Sequence, residues 1–247
     1  MKMIINVLKI IWLSIWLIIA TVILFFPITI ASFTSSTGNL PFTISRSWAW
    51  TILFVTGVHP KVRGKENINK NQSYIIISNH QSHVDILALV TQLGMQFRWI
   101  IKKELRSIPL FGYALHVSRN VFIDRSDHAR AVQSIRDGVN RLPSGVSLMF
   151  FAEGTRSPDG QIHHFKKGGF VTAIETGLSI LPVTVNGSRK ILPKKSIIFT
   201  PGSVELVIDN PIDTSHFSPE DIDSLINHTR NTIMSNFNPE YPGTPSQ

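Results

Sequence analysis

The sequence predicts an α/β fold, a mainly parallel or mixed sheet flanked by helices and preceded by an N-terminal hydrophobic helical hairpin. Three observations carry that reading. Residues 10–45 contain no charged residue and no histidine; short apolar, β-rich runs recur along the rest of the chain; segments of helical character separate those runs.

Ile10–Ile30 (IIWLSIWLIIATVILFFPITI) is almost continuously apolar. About 20 such residues cross the hydrocarbon core of a bilayer. A soluble core helix rarely runs so far without a polar face, and the apolar region of a signal peptide is shorter, roughly 7–15 residues. A second apolar stretch, Trp48–Val58, follows an uncharged polar loop at 32–39 and is too short to span; its two tryptophans suit the membrane interface. Lys2 and Lys9 precede the first stretch, and Lys61, Arg63, Lys65 and Lys70 follow the second. Positive charge on both flanks places both ends in the cytoplasm. The expectation is a monotopic hairpin in the cell membrane, turning near Pro27 and the loop after it. Residues 1–58 are thus read as membrane-anchoring helices, with the following domain facing the cytoplasm.

Residues 59–237 read as the α/β domain. Strands are expected at 73–78 (SYIIIS), 97–101, 120–124 (NVFID), 146–151 (VSLMFF), 180–186 (ILPVTVN) and 204–208. Helices are expected at 84–93, at 127–142 with Ser126 as N-cap, at 168–176, and at 219–237, whose acidic start after Ser218 suits a helix N-terminus. Alternation of this kind indicates a largely parallel sheet. Residues 238–247 hold three prolines and read as a flexible tail.

Composition narrows the function. Only 16% of the 247 residues are charged, yet the net charge is +8. Residues 61–200 carry that excess, and residues 201–247 carry one arginine against seven acids. A basic middle suits an anionic partner: nucleic acid, a lipid surface or a phosphorylated substrate. The apolar N-terminus, and the lack of aromatics interleaved with the basic residues, argue against nucleic acid. The absence of cysteine excludes disulfides, thiolate zinc sites and iron–sulfur centres.

In parallel α/β sheets, ligands sit beyond the carboxyl ends of the strands. Three polar clusters fall there: Asn79-His80-Gln81-Ser82-His83-Val84-Asp85, then Arg125, then Glu153-Gly154-Thr155-Arg156-Ser157. A histidine leaving a strand five residues before an aspartate at a helix start can fold back onto it. The carboxylate would then fix the tautomer and leave the other ring nitrogen as a base. Read blandly, Asp85 is a helix-start acid and His80 a loop residue. A metal reading invokes His80, His83 and Asp85, with His163 and His164 elsewhere; the spacing does not specify a metal site, and none is expected. Ser82 as a nucleophile lacks a Gly-x-Ser-x-Gly elbow. In the third cluster Gly154 lets backbone N–H groups approach an anion, Thr155 can donate, and Arg156 offers a planar fork for phosphate. Equally, Glu153 and Arg156 could pair in a surface turn.

These blocks, with Phe122-Ile123-Asp124-Arg125, Phe151–Ser157 and Leu181-Pro182-Val183, resemble the four ordered motifs of the glycerolipid acyltransferase family, over roughly residues 60–190. The resemblance implies that His80 takes the proton of a glycerol 2-hydroxyl, oriented by Asp85, so that the alkoxide attacks an acyl thioester. It implies Arg125, Glu153, Gly154, Thr155 and Arg156 as phosphate-binding residues, and Lys102, Lys103, Lys166 and Lys167 as contacts for phosphate or donor. Leu181–Val183 would shape an acyl groove. No cofactor is implied beyond the co-substrate, acyl-CoA or acyl carrier protein thioester. The implied partners are the bilayer and lysophosphatidic acid, with phosphatidic acid as product in phospholipid biosynthesis. Two positions depart from the family pattern: Ala152 replaces a proline, and Arg119 replaces a glycine, adding bulk and charge near the expected acceptor site. Competing readings are a sister acyltransferase acting on glycerol 3-phosphate or a lyso-aminolipid, a silent lipid-binding protein, and a metal-dependent phosphoesterase.

Overall fold

The structure, a computed structural model, describes residues 2–242. Two antiparallel helices open it: α1 (Lys2–Thr34) and α2 (Asn39–Thr56). Pro27 lies inside α1, which continues unbroken for seven more residues. The chain turns at 35–38, inside the loop expected after Pro27, where Gly38 takes a left-handed φ of 72° and a Cβ would lie 2.6 Å from Arg119 Cγ. Only glycine adopts that conformation cheaply, which is why the turn sits there.

The two helices differ in what they touch. Among the described residues α1 is the one helix long and apolar enough to cross a bilayer, and its large side chains from Met3 to Phe33 are mostly exposed. By contrast, α2 buries Phe42, Ala49 and Leu53 in the same core as Val84, Ala88 and Leu89 of α3 (Val84–Gln92). The hydrophobic core therefore crosses residue 58, the boundary drawn from the sequence between anchor and domain. Trp48 is likewise inside the assembly, its indole N–H donating to Thr21 Oγ1 at 3.1 Å.

Among the described residues seven strands form one sheet: β1 (Val58–Arg63), β2 (Ile75–Ser78), β3 (Phe97–Lys102), β4 (Val121–Ile123), β5 (Ser147–Phe151), β6 (Ile180–Asn186) and β7 (Gly202–Ile208). Their order is β1-β7-β6-β2-β5-β3-β4, and every pairing is parallel except β6–β7. Alternation along β2 divides the interior. Ile76 faces α2 and α3, whereas Ile75 and Ile77 face Ile135 of α5 (His128–Asn140), Phe170 of α6 (Gly168–Thr176) and Ile233 of α8 (Ile222–Asn236). Burying each such side chain contributes about 1.5–3 kcal/mol.

Three strands or α-helices have no counterpart in the sequence reading: edge strand β1, which includes Pro60, the seven-residue α4 (Phe111–Val117) and the four-residue α7 (Ser188–Ile191). Helix α5 is capped by Asp127, whose side chain accepts from Arg130 N–H, and not by Ser126. Ser126 is engaged by Asp124 at the end of β4. The acidic start at Ser218 forms a capping box with Asp221, and the first turn there is 3₁₀. Of the tail expected at 238–247, residues 238–242 are described, and they are docked: Asn238 N–H donates to Asn186 Oδ1 at 2.9 Å, and the Tyr241 ring covers Gly187.

Candidate active site

Parallel pairing of β2 with β5, and of β3 with β4, brings the loops after these strands to one end of the sheet. After β2 the chain reverses at 79–83 before α3. Asn79 holds the reversal, its side-chain amide donating to Val185 O (2.9 Å) and accepting from Val185 N–H (2.8 Å). Asp85, in the first turn of α3, is fully buried and points back into the loop. Its Oδ2 accepts from Gln81 N–H (2.7 Å) and Ser82 N–H (2.9 Å) and lies 2.8 Å from His80 Nδ1. A carboxylate only accepts, so the proton sits on Nδ1 and the lone pair on Nε2. The imidazole lies flat on Phe151, ring centroids 3.7 Å apart and planes 9° apart. Nε2 has no hydrogen-bond partner among the described residues. Held by an acceptor on one nitrogen and a ring on its face, His80 is placed to act as a base.

The loop after β5 supports the first loop from below. Glu153 Oε1 accepts from His80 N–H (3.2 Å) and Oε2 from His163 N–H (3.1 Å). Burial pushes the Glu153 carboxyl above its usual value. The resemblance groups Glu153 with the phosphate-binding residues, but both its oxygens are turned inward onto backbone N–H groups. A carboxylate beside a phosphate would also repel it. Gly154 has φ +70°, and a Cβ there would lie 2.9 Å from Lys166 Cε, so the glycine lets the lysine chain cross over it. Arg125 Nη1 donates to Gly154 O at 2.6 Å, tying β4 to this loop. Thr155 is exposed. Arg156 has no carboxylate partner among the described residues, and its charge helps to hold the His83 imidazole below its usual pKa, after the larger effect of burial.

Beyond Phe151 opens a cleft of about 510 Å³, with Ile77, Ile100 and Phe165 among its apolar walls and Arg125, Lys166 and Lys167 at its polar side. Burial lowers the Arg125 pKa, and no carboxylate pairs with that residue among the described ones. An apolar cleft bordered by Arg125 and Lys166, neither paired with a carboxylate among the described residues, fits an amphipathic anion. The structure thus brings together His80, Asp85, Arg125, Gly154, Lys166 and Lys167. Lys102 and Lys103 stand apart: Lys102 is exposed, and Lys103 pairs with Asp124, whose carboxyl it holds well below the usual range. Lys167 also pairs with Asp223 at 2.9 Å. Leu181 and Val183 are core residues without exposure and do not border this cleft. Arg119 precedes β4, at the other end of the strand from Arg125, and so does not crowd the cleft. It has φ 61°, a conformation that glycine adopts cheaply.

Three contributors escaped the sequence. Phe151 could have been found, since it ends a strand predicted to be buried and is the register partner of Ser78, two residues before His80. The amides of Gln81 and Ser82 leave no residue-type signal. Arg189 and Lys194, which donate to the carbonyls of Ser157, Pro158 and Arg156, come from the segment after β6, more than 30 residues away.

With this geometry in place, likeness to known proteins is informative. The family model for acyltransferases matches residues 59–186. The chain is 35% identical over 192 residues to a chloroplastic 1-acyl-sn-glycerol-3-phosphate acyltransferase of Arabidopsis thaliana, covering 77% of this chain and 52% of that protein. It is 28% identical over 187 residues to the human 1-acyl-sn-glycerol-3-phosphate acyltransferase alpha, covering 75% and 66%. The chain thus spans about half the length of the plant relative and two thirds of the human one. The crystal structure of the 1-acyl-sn-glycerophosphate acyltransferase from Thermotoga maritima superposes with a TM-score of 0.79 at 30% identity, covering 95% of both chains. Sequence motifs, fold and the His80–Asp85 loop agree, and the chain belongs to the acyltransferase family.

Proposed function

We propose that this protein transfers a fatty acyl group from a thioester, acyl-CoA or acyl carrier protein, to the 2-hydroxyl of 1-acyl-glycerol 3-phosphate, giving phosphatidic acid. The observation that carries the reading is the buried His80–Asp85 pair beside a cleft whose free cations suit a lipid phosphate. In this account His80 Nε2 removes the hydroxyl proton as the oxygen attacks the thioester carbonyl. Asp85 stabilises the resulting imidazolium. Collapse of the tetrahedral intermediate breaks the carbon–sulfur bond, and the imidazolium returns its proton to the departing thiolate. Arg125 and Lys166, with Arg156 nearby, hold the phosphate. Glu153 keeps the two loops in register.

The helical hairpin supports a membrane setting for this reaction, since the acceptor and the product are lipids. In the proposed arrangement the apolar outer surface of α1 enters one leaflet of the cell membrane and the catalytic loops face the cytoplasm. The test is thiol release by detergent-solubilised protein given 1-acyl-glycerol 3-phosphate and acyl-CoA, repeated with acyl carrier protein thioester, glycerol 3-phosphate and a lyso-aminolipid. Release with lysophosphatidic acid alone supports the reading. Release only with another acceptor would assign a sister activity, and silence with every pair would leave a lipid-binding protein.

A further inference from the structure

At the amino end of the strands, opposite His80, lies a second polar pocket of about 410 Å³. Four basic residues line it: Arg106, His116 at the end of α4, Arg119 just before β4, and Arg141 just after α5. Ser36 and Thr37 of the α1–α2 turn complete one wall. No aspartate or glutamate lines the pocket, and Arg106, Arg119 and Arg141 make no ion pair among the described residues. Arg141 Nε donates only to a backbone carbonyl, that of Asp137. Arg106 lies over the Phe122 ring, 5.9 Å from its centroid. Arg119 is held in a left-handed backbone conformation, φ 61°, that residues with side chains rarely adopt. Its stem packs against Gly38 of the turn. Deeper in, Arg98 is fully buried and donates to Thr37 O (3.0 Å) and to the Asn39 side chain; burial first, then Arg119 and Arg46, lowers it to about 10. Like charges thus gather here uncompensated, an arrangement that a bound anion would relieve.

The surroundings indicate the kind of anion. On α4, Tyr113 stands three residues before His116, so both lie on the same exposed side of the helix. The Tyr113 ring meets Phe25 of α1 at 5.6 Å, and α1 leads from there to Phe33, 84% exposed next to the turn. The pocket residues His116, Ser36 and Thr37 are thus sequence neighbours of Tyr113 and Phe33, which lie on or against the apolar surface of the hairpin. We propose that this pocket binds the phosphate headgroup of an anionic bilayer lipid whose chains run along α1, fixing the turn end of the hairpin to the membrane surface. The assignment rests on the membrane setting proposed above and goes beyond it, because the pocket is separate from the catalytic cleft.

The test measures partition of the full chain onto phosphatidylcholine vesicles and onto the same vesicles containing phosphatidylglycerol. Wild type is expected to prefer the anionic vesicles, and R119G and the R106Q/R141Q pair to lose about fivefold of that preference per arginine. Binding to neutral vesicles should not change. R136Q, which removes an arginine on α5 already paired with Glu175, should keep the preference. The R106Q/R141Q pair leaves the backbone of Arg119 alone, so a folding defect in R119G would not decide the matter. Full anionic preference in that pair would overturn the proposal. So would displacement of wild type by inorganic phosphate with equal binding to both vesicles, which would mark a soluble-anion site. Weakened capture of acyl carrier protein with unaltered vesicle binding would assign the pocket to an acidic protein instead. Failure of wild type to bind either vesicle would defeat the membrane setting as well.

Discussion

The loops that leave β2 and β5 lie side by side and are bonded to each other, with Ser157 N–H donating to His80 O at 2.8 Å and His80 N–H to Glu153 at 3.2 Å. Their polar side chains are nevertheless used in opposite ways. In the β2 loop the groups around the imidazole are committed: Asn79 to β6, Asp85 Oδ2 to two amides and an imidazole, and the His80 ring to Phe151, while the buried Gln81 side-chain amide makes no hydrogen bond among the described residues. Beyond β5 the carboxylate is turned inward while the cations Arg156 and Lys166 are left without carboxylate partners. One loop is rigid, as a proton-transfer group requires, and the other is positively charged and open, as an anion site requires. Under the proposed function, binding and chemistry are divided between adjacent strands, and substitutions should separate them.

The largest effects belong to the β2 loop. His80→Ala should lower kcat by about 100- to 10,000-fold, the contribution usual for a positioned acid–base group. Asp85→Asn should fall by a similar order, because a neutral amide oxygen facing the same three donors no longer stabilises the imidazolium formed on proton transfer; turnover rates compared with circular dichroism separate that loss from misfolding. The β5 side should respond differently. Arg125→Gln or Arg156→Gln should raise KM for lysophosphatidic acid about tenfold or more, the loss of one hydrogen bond to a charged group worth about 1.5–3 kcal/mol. Gly154→Ala forces a Cβ into a left-handed residue 2.9 Å from Lys166 Cε. It should cost about 1–2 kcal/mol, read as a melting point lower by a few degrees. The smallest effect concerns pH. Burial raises the Glu153 carboxyl in the folded state, so its contribution to stability is complete below the ordinary carboxylate value and is lost as pH rises through the raised one. The stability advantage of wild type over Glu153→Gln should narrow across that window in denaturant titrations.

The same division explains what could be read from the sequence. Strands β2, β5 and β6 were legible because continuous apolar runs mark buried parallel strands, and the histidine–aspartate spacing marked the loop that chemistry needs. Edge strand β1 was not, since Val58–Arg63 alternates in burial and contains a proline. The hairpin was legible as hydrophobicity, but hydrophobicity does not distinguish α1, whose side chains are mostly exposed, from α2, whose Phe42 and Leu53 are core residues. In the site, the histidine–aspartate spacing suggested a role for His80 and the family resemblance one for Arg125, but neither carried direction. Glu153 carries the same charge whether it faces a ligand or two backbone amides. Arg119 stood out as a departure from a family glycine; its meaning came only from a φ of 61° and a position at the far end of β4.

The most direct measurement is the separate determination of kcat and KM for lysophosphatidic acid in His80→Ala and Arg125→Gln, with acyl-CoA saturating. The division of labour predicts that the first variant loses kcat while KM stays near wild type, and that the second raises KM while keeping most of kcat. A folded His80→Ala protein with wild-type kcat, or two variants that lose kcat and KM in the same proportion, would contradict it.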